Sequence, residues 1–73
     1  MINAQINYSV IRIIPPNDGH KASFQYGTIR EITDEKIIVE VQVDIPRFME
    51  FSRKDGMDTN GIGSFIIVLG DSK

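Results

Sequence analysis

The chain has 73 residues, 41% of them hydrophobic and 25% charged, with a formal net charge of −2 and no cysteine. That length makes one domain near the lower limit at which apolar burial alone stabilises a fold, and without cysteine neither disulfides nor thiolate zinc sites are available as supports. The slight acidity argues against a binder driven by phosphate electrostatics, whose domains carry a basic excess, and association remains as the support for a small core.

The first residues, Met1-Ile2-Asn3-Ala4-Gln5, lack a cationic region followed by an apolar core, so they do not read as a signal peptide. The longest apolar run, Phe65 to Leu69, is too short to span a bilayer, and the expectation is a soluble cytoplasmic protein. The first predicted strand covers Ile6 to Ile14, rich in Ile, Val and Tyr. It stops at Pro15-Pro16, neither of which donates to a ladder. "PPNDGHKA" follows as a loop, with Asn17-Asp18-Gly19 as its turn signal. Next comes "SFQYGTIREIT", a strand whose phase breaks. Phe24 and Tyr26 share one face, Ile29 falls on the other and Ile32 switches back, and Gly27 is the expected site of a bulge or bend.

Thr33-Asp34-Glu35-Lys36 reads as a tight polar turn into the cleanest strand, Lys36 to Asp44. There Ile37, Val39, Val41 and Val43 alternate with Ile38, Glu40, Gln42 and Asp44, the period of two that puts one face on a core. The two strands predict a hairpin. The segment 45–54 has two readings. As a strand it turns Met49 and Phe51 inward. As a short helix it has Asp44 as N-cap, Pro46 in the first turn and Gly56 as its stop, with Ile45, Phe48 and Met49 on one face. The strand is preferred, because one helix among strands so closely spaced leaves the hairpin series incomplete. The last strand is "SFIIVLG", Ser64 to Gly70.

Five short strands with glycine-based bends predict one all-β domain over 1–73, a small, strongly bent SH3-like barrel. An OB-like barrel, or an α+β fold with the short helix near 45–54, are the alternatives. "GTIREITDEKIIVEV" followed by "RFMEFSRKDG" resembles small SH3-like β-barrel proteins carried by bacteriophages and plasmids, which have a Val/Ile-rich hairpin and then an aromatic-basic-Asp-Gly strand end. The resemblance covers Gly27 to about Gly61. It implies the barrel and a mobile-element origin, and it carries no activity across.

Catalytic chemistry has little to draw on. The single histidine, His20, sits in a loop, and no Ser–His pairing is indicated among Ser9, Ser23, Ser52, Ser64 and Ser72, so no enzyme is expected. Asp55, Asp58 and Asn60 before Gly61 echo part of a calcium loop. Aligned on Gly61, however, the first ligand position falls on Gly56 and the closing glutamate position on Ile67. The same residues are what a turn requires. "GMDTNGIG" also lacks the Gly-Lys-Ser/Thr end of a phosphate loop. No metal or cofactor is expected.

Binding chemistry has two candidates. In "SFIIVLG" the apolar residues fall on both faces, with Phe65, Ile67 and Leu69 opposed to Ile66 and Val68. Together with Ile38 and Phe48 on nominally outer faces, Ile66 and Val68 define the expected contact for a protein partner or a homodimer. That makes an interaction module, of the accessory or regulatory kind that mobile elements carry and aimed at itself or a host protein. The alternative is a nucleic-acid face, with Arg47, Arg53 and Lys54 as phosphate contacts and Phe48 or Tyr26 as a stacking platform.

Overall fold

The computed structural model of the protein describes residues 2–16, 21–42, 44–59 and 63–71. It contains five strands, β1 (Tyr8–Ile14), β2 (Ser23–Ile32), β3 (Lys36–Val41), β4 (Arg47–Ser52) and β5 (Phe65–Asp71), in one antiparallel sheet of order β4-β3-β2-β1-β5. The fold is therefore all-β, and no helix occurs among the described residues. β4 takes the ambiguous segment as a strand, paired from Arg47↔Val41 to Lys36↔Ser52, with Phe51 buried and Met49 packed against the core. The helical alternative over 45–54 is thereby set aside.

The predicted hairpin forms, and its turn chemistry is visible. The Thr33 hydroxyl accepts the Lys36 amide at 3.0 Å, and the Thr33 amide donates to the Lys36 carbonyl at 2.8 Å. On β3 the predicted alternation holds through Ile37, Val39 and Val41, all buried; Val43 lies outside the described residues, as do Asn17, Asp18 and Gly19 of the first loop. β1 begins two residues later than expected. Asn7 adopts φ 72°, a left-handed conformation that Asn tolerates, in a turn closed by the Tyr8 amide on the Gln5 carbonyl.

β2 organises the whole sheet. Ser23 to Thr28 pair with β1, and Gly27 to Ile32 pair with β3, so the strand passes from one partner to the other at Gly27 and Thr28. The structure corrects the expected position of the bulge. The register shifts between Ile29 and Glu31, which makes Arg30 the extra residue and returns Ile32 to the side that Ile29 occupies. Gly27 serves a different purpose, close approach. A Cβ there would lie 2.7 Å from Val39 Cγ1 and 2.9 Å from the Glu40 carbonyl oxygen. An alanine ordinarily gains stability over glycine in a strand, but a backbone oxygen cannot swing aside as a side chain can. Gly27→Ala is expected to cost about 1–3 kcal/mol as overpacking. Urea denaturation checks this; an unchanged midpoint would mean that β2 and β3 separate locally at no cost.

The core consists of Val10, Ile29, Ile37, Val39, Val41, Phe51 and Ile66. β4 and β5 are the two outermost strands, and in a flat sheet four spacings of about 4.8 Å would hold them roughly 19 Å apart. Here one short segment reaches both. Phe51 of β4 bridges Asp58, Met57 bridges Phe65 of β5, and the Ile66 amide donates to the Gly56 carbonyl at 3.0 Å. The sheet is therefore curled into a barrel-like form that is not closed strand to strand, with residues 56–58 filling the seam. Gly56, at φ 77°, makes the turn that permits this.

Candidate interaction surface

The curled sheet has two outer faces, and they differ in chemistry. On the β2–β3–β4 half, the outward residues include Arg30, Lys36, Ile38, Glu40, Phe48 and Glu50. Arg30 Nε pairs with Glu40 Oε1 at 2.9 Å and Lys36 Nζ with Glu50 Oε1 at 3.0 Å. These are exposed cross-strand ion pairs, each worth little in stability but well suited to water. On the β5–β1–β2 half, the register lines up two apolar rows. Ile11 of β1 stands between Ile67 of β5 and Tyr26 of β2, and Ile13 stands between Phe65 and Phe24. Cross-strand neighbours of this kind lie about 5 Å apart, so the rows form one continuous patch. Phe24 is 63% exposed, Tyr26 57% and Ile67 46%, and Leu69 beside them is 53% exposed. The Phe24 and Tyr26 rings meet edge to face with centroids 6.1 Å apart.

This placement reverses one expectation. Ile66 is 5% exposed and belongs to the core, and Val68 packs against that core. They face inward because the register sets Ile66 opposite Arg12 and Val68 opposite Val10, both buried; Phe65 and Ile67 take the outer side. Ile38 is half-buried on the ionic half beside Glu50, and Phe48 is exposed beside Glu40. Ile66, Val68, Ile38 and Phe48 therefore do not form one surface. The apolar rows that do form were legible only in part, through the shared phase of Phe24 and Tyr26 and that of Phe65, Ile67 and Leu69; which of the two sides of β5 faces outward was not.

The nucleic-acid set is also dispersed. Arg47 opens β4 while Arg53 and Lys54 lie past its end, so a six-residue strand, roughly 20 Å long, separates them. Arg53 is tied locally, its Nη1 donating to the Thr33 carbonyl at 3.2 Å and its amide to the Glu35 carbonyl at 2.9 Å. Tyr26 stands on the apolar half. Arg47 instead lines a groove of about 610 Å³ with Arg12, Gln25, Asp44, Phe48 and Met49.

Arg12 is the unusual member of that groove, since its side chain is only 9% exposed. Its Nη1 donates to Gln25 Oε1 at 2.8 Å and its Nε to Ser64 Oγ at 3.2 Å; the Ser64 hydroxyl in turn donates to Asp58 Oδ2 at 2.8 Å, which lies 3.8 Å from Arg12 Nη2. The network joins β1 and β2 to the seam segment. It also accounts for the calcium-like residues among those described: Asp58 is in the buried network, and Asp55 Oδ1 accepts the Met57 amide at 3.0 Å within its own turn. Asn60, Gly61 and His20 lie outside the described residues. Among the described residues, no group of three or more His, Cys, Asp or Glu side chains gathers around a common point.

Comparison of the chain with protein-family models, with curated proteins and with solved structures gives no match.

Proposed function

We propose that the protein is a non-enzymatic protein-interaction module that binds through the outer face of β5–β1–β2. The observation that carries this reading is the contrast between the two outer faces of one sheet. The β2–β3–β4 half sets its exposed aromatic, Phe48, beside Glu40 in a surface of ion pairs, while the other half bears Ile11, Ile13, Phe24, Tyr26, Phe65 and Ile67 with no charged side chain in either row. Phe24 and Tyr26 alone leave on the order of 200 Å² of surface uncovered, and with Ile67 and Leu69 the patch reaches the few hundred Å² that mark interaction sites. At about 25 cal/mol per Å², covering the two aromatics contributes roughly 5 kcal/mol before the costs of association.

A photo-crosslinking amino acid tests the reading. Benzoylphenylalanine extends the phenylalanine ring by a benzoyl group, which an exposed position accommodates, so it is placed at Phe24 in one variant and at Phe48, on the ionic half, in another. Protein adducts are expected from position 24 in native lysate and not from position 48. Adducts from 48 alone, or from neither position, would refute the proposal.

A further inference from the structure

We infer that the occupant of this face is a second copy of the chain, docked sheet on sheet about a two-fold axis parallel to β1. The assignment rests on the interaction reading of the β5–β1–β2 face and narrows it to one partner. Three observations carry it.

The first is the lateral arrangement of the patch. Tyr26 on β2 and Ile67 on β5 flank Ile11 of β1, while Phe24 on β2 and the half-buried Phe65 on β5 flank Ile13, with Leu69 beyond Ile67 on the β5 edge. A two-fold rotation about an in-plane axis along β1 exchanges the two edges. Tyr26 of each copy then lies over Ile67 of the other and Phe24 over Phe65, and both contacts are made twice, as an isologous interface requires. It also leaves the strands of the two sheets near the aligned orientation favoured for packed sheets.

The second observation is charge. Neither apolar row carries a charged side chain, so self-docking opposes no like charges, and the face offers no charge by which a different partner would be selected. The ionised residues Arg30, Lys36, Glu40 and Glu50 are on the other half, where they stay in water in such a dimer.

The third is size. Three strands about 4.8 Å apart and some seven residues long give a face that buries on the order of 1,000 Å² in total between two copies, the lower end of specific interfaces. A domain whose described core holds seven buried hydrophobic residues gains a second apolar layer by this route.

Sedimentation equilibrium of the full chain, from about 1 µM to about 1 mM, brackets the affinity that such an area supports. A monomer–dimer equilibrium is expected, insensitive to added salt. Tyr26→Glu and Ile67→Glu, on opposite edges of the patch, are each expected to weaken it at least about a hundredfold, with circular dichroism showing that each variant remains folded; Glu50→Gln, on the ionic half, is expected to leave it unchanged. Isotope-filtered NMR on a mixed-label sample is expected to show contacts between the Tyr26 ring of one copy and the Ile67 methyls of the other. A wild-type chain that stays monomeric throughout, or a dimer that survives both glutamate variants, would overturn the assignment. If the purified chain is monomeric while position 24 still yields adducts to other proteins in lysate, only the second-copy assignment fails. If position 24 yields none, the interaction reading fails with it.

Discussion

Phe51→Ala is expected to leave the protein unfolded, or nearly so, at room temperature. Phe51 is fully buried and is the largest side chain in the core. Truncating a buried phenylalanine costs about 3–5 kcal/mol through lost transfer energy and the cavity left behind. A domain of this size has a total stability of about the same magnitude. Position adds to volume in this case. Phe51 pairs with Ile37 on β3 and bridges Asp58 across the seam, so the cavity opens where β4 meets the segment that joins it to β5. The surroundings cannot collapse onto it easily, because the Ser52 amide on the Met57 carbonyl and the Thr59 amide on the Glu50 carbonyl fix the spacing of the backbone on either side. Far-ultraviolet circular dichroism and the dispersion of amide NMR signals measure the outcome. A cooperative melt within a few degrees of wild type would mean that the seam carries little of the fold's stability.

The contrast between Phe51 and its neighbours in the chain shows what the amino-acid sequence reveals and what it conceals. The hairpin around Thr33 to Lys36 was legible because its determinants are local: a threonine hydroxyl that accepts the Lys36 amide, and a following strand buried on one face only. The phase of β5 was not legible. "FIIVL" is apolar on both faces, so nothing local distinguishes Ile66 from Ile67. The choice is made by pairing Ile66 with Arg12, a residue more than fifty positions away. In β2 the break of phase between Tyr26 and Ile32 was visible but its position was not. Glycine is the residue type that announces a bulge, yet here Arg30 is the extra residue, and Gly27 is needed for the close approach of Val39 and the Glu40 carbonyl. The apolar outer face was concealed for a related reason. It is assembled from alternate residues of three strands, and no one of those strands shows it alone. The same non-local logic separated Arg47 from Arg53 and Lys54, which look like one basic cluster in the chain and lie at opposite ends of β4.

The second large effect concerns Arg12, which a reading of "YSVIRII" would turn toward water. Asp58→Leu is expected to cost about 3–5 kcal/mol, because it leaves a guanidinium buried without its counter-charge. Arg12→Met is expected to cost a similar amount from the other side, since the Asp58 side chain is fully buried. The two changes together should cost much less than their sum, with a coupling of about 1–3 kcal/mol in a double-mutant cycle, since the pair's desolvation penalty disappears with the pair. The direct Nη2–Oδ2 separation of 3.8 Å is long for such coupling, and the Ser64 hydroxyl explains how it is maintained. That hydroxyl accepts from Arg12 Nε at 3.2 Å and donates to Asp58 Oδ2 at 2.8 Å, so the two charges meet through a fully buried relay as well as through space. Ser64 and Asp58 lie next to β5 in the seam, and Arg12 and Gln25 lie on β1 and β2 under the apolar outer face. The network therefore fixes the curvature of the half-sheet that carries Ile11, Tyr26 and Ile67. Denaturation of the four proteins in the cycle gives the coupling directly. A value below about 0.5 kcal/mol would show that Arg12 and Asp58 act independently, and the seam would then be held by backbone pairing and Phe51 alone.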